Sequence, residues 1–169
     1  MILNFTTEVR KGKLKGFVTN FVEKIKSGSK IHTIREDKKE RWKAGNKIHF
    51  ATGPYKKGRV FHEGECTKTE KIAVRWVKVD HIYSNKLKEF QIKPNTPAHE
   101  RDILYIVTLV AKDGTETTIA GTVAIEGYYL RLCEIEELAI NDGLESIDNF
   151  FAWFDKDFDG KIIHWVKWV

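Results

Sequence analysis

The residue pair that most constrains the fold of this chain is Asp113-Gly114, which separates two β-prone runs, Ile103 to Ala111 and Thr115 to Ala124. A tight hairpin turn needs positive φ at its centre, which glycine and aspartate tolerate, so this dipeptide predicts an antiparallel hairpin. Other β-prone segments accompany it. Met1 to Phe5 reads as a first strand and Ile31 to Arg35 as a short second one. Trp42-Lys43-Ala44-Gly45-Asn46 is a turn into a strand over Lys47 to Thr52, which Gly53-Pro54 ends. Cys66 to Tyr83 contains the run Ile72 to Val77, and Gly160 leads into a closing strand, Lys161 to Val169.

Helical signals sit near both ends. Leu14, Phe17, Val18, Phe21, Val22 and Ile25 recur at helical spacing, with Lys24 and Lys26 at the negative end and Gly28 as a left-handed cap. Glu134 to Asn141 predicts a short helix stopped at Gly143. Ser146 predicts the N-cap of another, with Ile147, Phe150, Phe151 and Phe154 on one face. The expected architecture is α+β: a curved, mainly antiparallel sheet or barrel with helices at both ends. The 169 residues suffice for a single domain with a real core. Ser84 to Arg101, polar and holding Pro94 and Pro97, reads as an excursion from it.

No run of about 18 apolar residues is present, which argues against a membrane-spanning helix. The first residues lack the basic-then-apolar layout of a signal peptide, and Cys66 and Cys133 lack paired spacing. A cytoplasmic protein with free thiols is the expectation. The net charge of +5 is mild but uneven: Arg35 to Arg59 holds nine Lys/Arg against three Asp/Glu, and Glu134 to Asp159 holds nine Asp/Glu against one Lys. A basic segment of this kind concentrates phosphate-bearing ligands, although a solvated lysine-rich loop has the same composition.

The chemistry-bearing residues cluster at Lys30-Ile31-His32-Thr33-Ile34-Arg35. Strand parity places Thr33 and Arg35 on one face, so a cooperating Lys30 must sit in the preceding loop and reach back. In that geometry Thr33 is a candidate nucleophile, Lys30 its activating base once desolvated, and Arg35 a fork for a phosphate or carbonyl oxygen. An edge strand with solvated polar groups is the plainer alternative. Asp142, just before Gly143, meets the negative end of a helix dipole and needs a partner or a proton-transfer task, unless it is simply a solvated turn residue.

Asp155 to Gly160 imitates a calcium loop, but its positions 9 and 12 fall on Ile163 and Val166, which cannot ligate. The scattered histidines, with His32 and His49 expected as cross-strand neighbours, provide no metal-binding spacing. Neither a metal nor another cofactor is expected. At the C-terminal end, Trp165 and Trp168 differ in parity, so at most one faces a groove for stacking.

Gly28 and Lys30-x-x-Thr33-Ile34-Arg35, followed by Trp42-Lys43-x-Gly45-Asn46-Lys47-Ile48, resemble the signature of the ASCH domain, a PUA-like β-barrel family related to RNA-binding modules. Ala139 to Ser146 resembles the family's acidic-Gly-hydrophobic turn. The segment from about 55 to 127 is longer than in compact members. The resemblance implies a single PUA-like domain with a cleft for RNA or a modified nucleoside. Small bacterial members that the chain resembles hydrolyse the amide of N4-acetylcytidine with a Lys, a Thr and a Glu. Lys30 and Thr33 match the first two, and Asp142 stands in the third position. That carboxylate is set back by about 1.5 Å. Arg35, His32 and Trp42, with Lys38, Lys39 and Arg41 on the basic segment, are the candidate contacts to substrate or RNA. A non-catalytic RNA-binding module is the alternative expectation, and a ribonuclease with His32 or His49 as general base a third.

Overall fold

The computed structural model describes residues 1–53, 58–78 and 103–165. Among these, the strands and helices follow one another as β1 (Ile2–Phe5), α1 (Phe21–Lys26), β2 (His32–Arg35), β3 (Lys47–Thr52), β4 (Arg59–Lys78), β5 (Tyr105–Val110), β6 (Glu116–Ile125), β7 (Tyr128–Tyr129), α2 (Leu132–Asn141), α3 (Ile147–Trp153) and β8 (Phe158–Trp165). The chain is α+β, built on a mixed, open sheet.

The organising element is β4, whose 20 residues serve three partners. Its first part pairs antiparallel with β3, its middle with β8 and its last part with β6, a bulge between Cys66 and Lys68 re-aiming it on the way. From β4 the sheet continues through β3 to β1, a parallel pair, and through β8 to β2. The predicted hairpin is β5–β6, where the Asp113 carboxylate accepts from the Thr115 N–H at 3.0 Å. Among the described residues, no backbone pairing joins β1 to β2.

The main apolar core draws on both the sheet and the helices. Phe5, Phe50, Phe150, Ile48, Ile135, Leu144 and Ile163 are fully enclosed there. A smaller cluster of Val77, Ile103, Leu104, Ala120, Ala124 and Tyr129 lies apart from it.

The N-terminal helix differs from its predicted extent. Only Phe21–Lys26 is helical, because Gly16 (φ 87°) and Asn20 (φ 50°) adopt left-handed conformations that no helix carries. Residues 9 to 17 instead fold back on themselves, with the Val9 N–H donating to the Phe17 carbonyl and Val18 left exposed. The remaining helical predictions hold closely: α2 begins two residues early at Leu132, and the Ser146 hydroxyl caps α3 through the Asn149 N–H. The Asp155 to Gly160 stretch is the entry to β8: Asp157 accepts from the Trp76 N–H and Asp159 pairs with Arg75. Trp165 is buried in the core. The Ser84 to Arg101 excursion and Trp168 lie outside the described residues.

Candidate functional site

Two helix ends meet at Lys30. After α1, Gly28 (φ 73°) turns the chain and the Lys30 N–H donates back to the Lys24 carbonyl at 2.9 Å. This tight return aims the Lys30 side chain inward from the loop before β2. Opposite it, α2 ends in a Schellman arrangement: Gly143 (φ 82°) donates to the Ile140 carbonyl and Leu144 to that of Ala139. Asp142 is the last residue before this reversal.

The Lys30 ammonium donates to the Asp142 carboxylate at 2.8 Å and also to the Asp142 backbone carbonyl. It lies 4.6 Å from the ring centre of Phe21 and 5.8 Å from that of Phe5, and is wholly buried. Burial pulls its pKa down to about 8, against the opposing charge and hydrogen bond of Asp142. The same burial raises the Asp142 carboxyl, against the pull of Lys30, Arg35 and the Ile34 N–H. Lys24 grips the same helix end, donating to the Gly143 carbonyl at 2.9 Å and pairing with Glu145 at 2.6 Å. The carboxylate that sat badly at a negative helix end is thus held by a cation from another element.

The free edge of β2 completes this docking. Ile31 N–H reaches the Asn141 carbonyl at 3.3 Å, and the His32 imidazole bonds to the Leu138 carbonyl. Lys30, Asp142 and Arg35 therefore come together, with Arg35 over the Phe5 ring at 5.2 Å and donating to the Asn4 carbonyl at 2.9 Å. Thr33 is buried opposite Ile163 of β8, and no hydrogen bond joins its hydroxyl to Lys30.

His32 and Trp42 are not surface contacts. His32 is enclosed beside α2, its ring 5.3 Å from that of His164, and burial lowers its pKa to about 3. A neutral imidazole so enclosed is poorly placed as a general base. It faces His164 across paired strands rather than His49, which lies on β3 beside Glu63. Trp42 packs in the core, because Asp37 accepts the Arg41 and Trp42 N–H groups, both at 3.0 Å, and turns the chain inward. Lys38, Lys39 and Arg41 are exposed on this turn.

Sequence reasoning passed over Asp37, which is also 3.5 Å from Lys161, and the Phe5–Phe21 pair that walls the ammonium. An Asp five residues before a Trp at a strand exit was the available signal for the first.

A separate open groove of about 710 Å³ runs along β4, β6 and β8, floored by Ala73 and Ala124 and edged by Arg75, Lys161 and the turn after β2. Six carboxylates and four cations line it, which gives phosphate little reason to settle there. Lys30, Thr33 and Asp142 do not line it. No group of His, Cys, Asp and Glu among the described residues has metal-binding geometry, and no helix among them is long and apolar enough to cross a membrane. No protein-family model, curated protein or solved structure matches the chain.

Proposed function

We propose that this chain is an ASCH-type, PUA-like domain that binds RNA or a modified nucleoside beside the Lys30–Asp142 centre. The observation that carries the reading is the pair itself: a desolvated amine with a pKa near 8, bound to a carboxylate 112 residues away. The barrel form draws support from the strand path β1-β3-β4-β8-β2, whose two ends are bridged by the Arg35 side chain and the Asn4 carbonyl. A cytoplasmic setting belongs to the same reading, with Cys66 and Cys133 both free.

The centre carries the groups needed to hydrolyse an amide such as that of N4-acetylcytidine. Thr33 would attack the acyl carbon, Lys30 would take its proton, and Asp142 would orient Lys30 or protonate the leaving amine; a water would then attack the acyl-threonine ester, giving its proton to the base freed by that step, release acetate and restore the Thr33 hydroxyl. This requires Lys30 to stand as the neutral amine, its proton passed to Asp142 or lost to solvent, and to turn from the Asp142 carbonyl toward the Thr33 hydroxyl as substrate enters. The second reading, a non-catalytic RNA-binding module, is favoured by the sealed position of Lys30 and by the exposure of Lys38, Lys39 and Arg41.

One pair of assays separates them. Incubation with a panel of acylated nucleosides should release acetate from N4-acetylcytidine, and Thr33→Ala should abolish release while the fold persists. A chain that turns over nothing in that panel but binds RNA at low salt, with affinity lost on changing Lys38, Lys39 or Arg41, is the binding module. Absence of both turnover and RNA or nucleoside binding defeats the whole reading.

A further inference from the structure

The two rings that wall the Lys30 ammonium stand at the two ends of one excursion of the chain. Phe5 closes β1 and Phe21 opens α1, with 6.1 Å between their ring centres. The residues between them form an ordered hairpin. The Thr19 N–H donates to the Thr7 carbonyl at 3.1 Å, Glu8 and Val18 form an antiparallel bridge, and the Val9 N–H meets the Phe17 carbonyl at 2.9 Å. Gly12 (φ 82°) and Gly16 (φ 87°) supply the left-handed backbone of the reversal. Between Val9 and Thr19 the hairpin carries Arg10, Lys11, Lys13 and Lys15 and no carboxylate. All four are exposed, and none forms an ion pair among the described residues. Lys38, on the basic turn after β2, by contrast pairs with Glu36 at 2.9 Å. The Lys13 ammonium lies 5.9 Å from the ring centre of Trp76, which sets the tip of the hairpin against β4.

Four like charges held on one ordered loop repel one another and draw in a polyanion. The apolar residues of the hairpin decide between a lipid surface and a nucleic-acid strand. An element that lies on a membrane turns its apolar side chains outward beside its lysines. Here Leu14 and Phe17 are half-buried, and Val18, at the base, is the exposed one. We infer that the hairpin grips the phosphates of an RNA strand, so that the Lys30–Asp142 centre receives a nucleotide within a strand and not a free nucleoside. The span suits this. Thr7 to Gly12 covers at most about 17 Å. Phosphates of one strand are spaced by about 3.4 Å along a helix, so roughly five nucleotides reach from the base of the hairpin to its tip. The inference rests on the reading above and chooses between its two ligands, RNA and the free nucleoside.

The test is fluorescence anisotropy of a labelled single-stranded RNA of about 20 nucleotides, titrated with the full chain at several sodium chloride concentrations. One variant combines Arg10→Gln, Lys11→Gln and Lys15→Gln, which leaves the Lys13–Trp76 contact in place. A second combines Lys78→Gln, Lys112→Gln and Lys156→Gln, which removes the same charge from exposed sites elsewhere. The hairpin variant should bind RNA at least about tenfold more weakly and lose about 2 from its salt slope, three phosphates at about 0.7 each. The second variant should stay within about threefold of the wild type, and the melting temperatures of all three chains should agree. Equal losses in the two variants would reduce the effect to net charge and overturn the assignment. Wild-type RNA binding that the hairpin variant keeps in full would remove the hairpin alone and leave the RNA reading standing. A wild-type chain that binds N4-acetylcytidine but no RNA at low salt would defeat the inference and leave the nucleoside reading standing. Vesicles of phosphatidylserine and phosphatidylcholine form the last arm: binding to them that the hairpin variant loses, with RNA affinity unchanged, would give the hairpin to a lipid surface instead.

Discussion

The Lys30 ammonium ties the carboxylate and the carbonyl of Asp142 into one contact, so that the start of β2 and the end of α2 are joined through a single side chain. Both groups are buried, and both are shifted toward their neutral forms by loss of water. The attraction between them opposes that shift. Whether the site binds, cleaves or only holds the helix in place, its behaviour depends on this balance.

Removing one partner should therefore be worse than removing both. A buried charge left alone costs about 3–5 kcal/mol, whereas replacing a whole pair by apolar groups is often close to neutral. Lys30→Met is expected to cost about that much in urea unfolding, and Lys30→Met combined with Asp142→Leu markedly less. Single changes that each cost under about 1 kcal/mol would mean the pair is solvated in solution.

Alkaline pH gives an independent reading of the same amine. The folded pKa of Lys30 is about 8, below its ordinary value of 10.5. Between those values the unfolded chain binds the proton more tightly than the folded one, so stability should rise as pH increases through that window. The full effect approaches about 3 kcal/mol if Lys30 titrates alone, since each tenfold difference in proton affinity is worth about 1.4 kcal/mol. Urea midpoints at pH 7.5, 9 and 10 should rise in the wild-type chain relative to Lys30→Met. Parallel profiles for the two chains would show that the amine is not desolvated.

Acid pH should be governed in part by His32. Its pKa is lowered to about 3 by burial, from an ordinary value of 6.5. The neutral ring contributes stability that is present above the unfolded value and lost as pH falls from 6.5 toward 3. The neighbouring His164, also lowered by burial, acts in the same direction. A chain carrying His32→Leu should show a shallower loss of melting temperature between pH 6.5 and 4 than the wild type. An unchanged acid slope would remove His32 from the account.

Local chemistry made much of this architecture legible. The strand over Lys47 to Thr52, the Asp113-Gly114 hairpin and the Ser146 cap each depend on a few adjacent residues, and each formed where the local signal placed it. The stripe from Leu14 to Ile25 misled because periodicity counts apolar residues and not backbone conformation. Gly16 and Asn20 interrupt it with positive φ. Trp42 and His32 misled for a different reason: the burial of Trp42 follows from the local Asp37 turn, a signal passed over, and that of His32 from the end of α2, a partner more than a hundred residues away that spacing along the chain cannot reveal. The three-partner strand β4 carries no turn signal at its changes of partner, so its length was equally hidden.

Gly143 allows a last test of the helix end that carries Asp142. Its φ of 82° strains any side chain, and a methyl group there would lie 3.1 Å from the Phe21 ring. Gly45, with φ 85°, has nothing within 4 Å of the same added methyl. Left-handed backbone costs an L-residue about 1–2 kcal/mol, so Gly45→Ala should lose roughly that much stability. Gly143→Ala should lose more, because it also displaces the ring that walls the Lys30 ammonium and must disturb the Schellman turn that holds Asp142. The expected order is settled by urea unfolding of the two variants side by side. Equal losses would mean that Phe21 yields freely, and that the aromatic wall of the Lys30–Asp142 centre is softer than its packing implies.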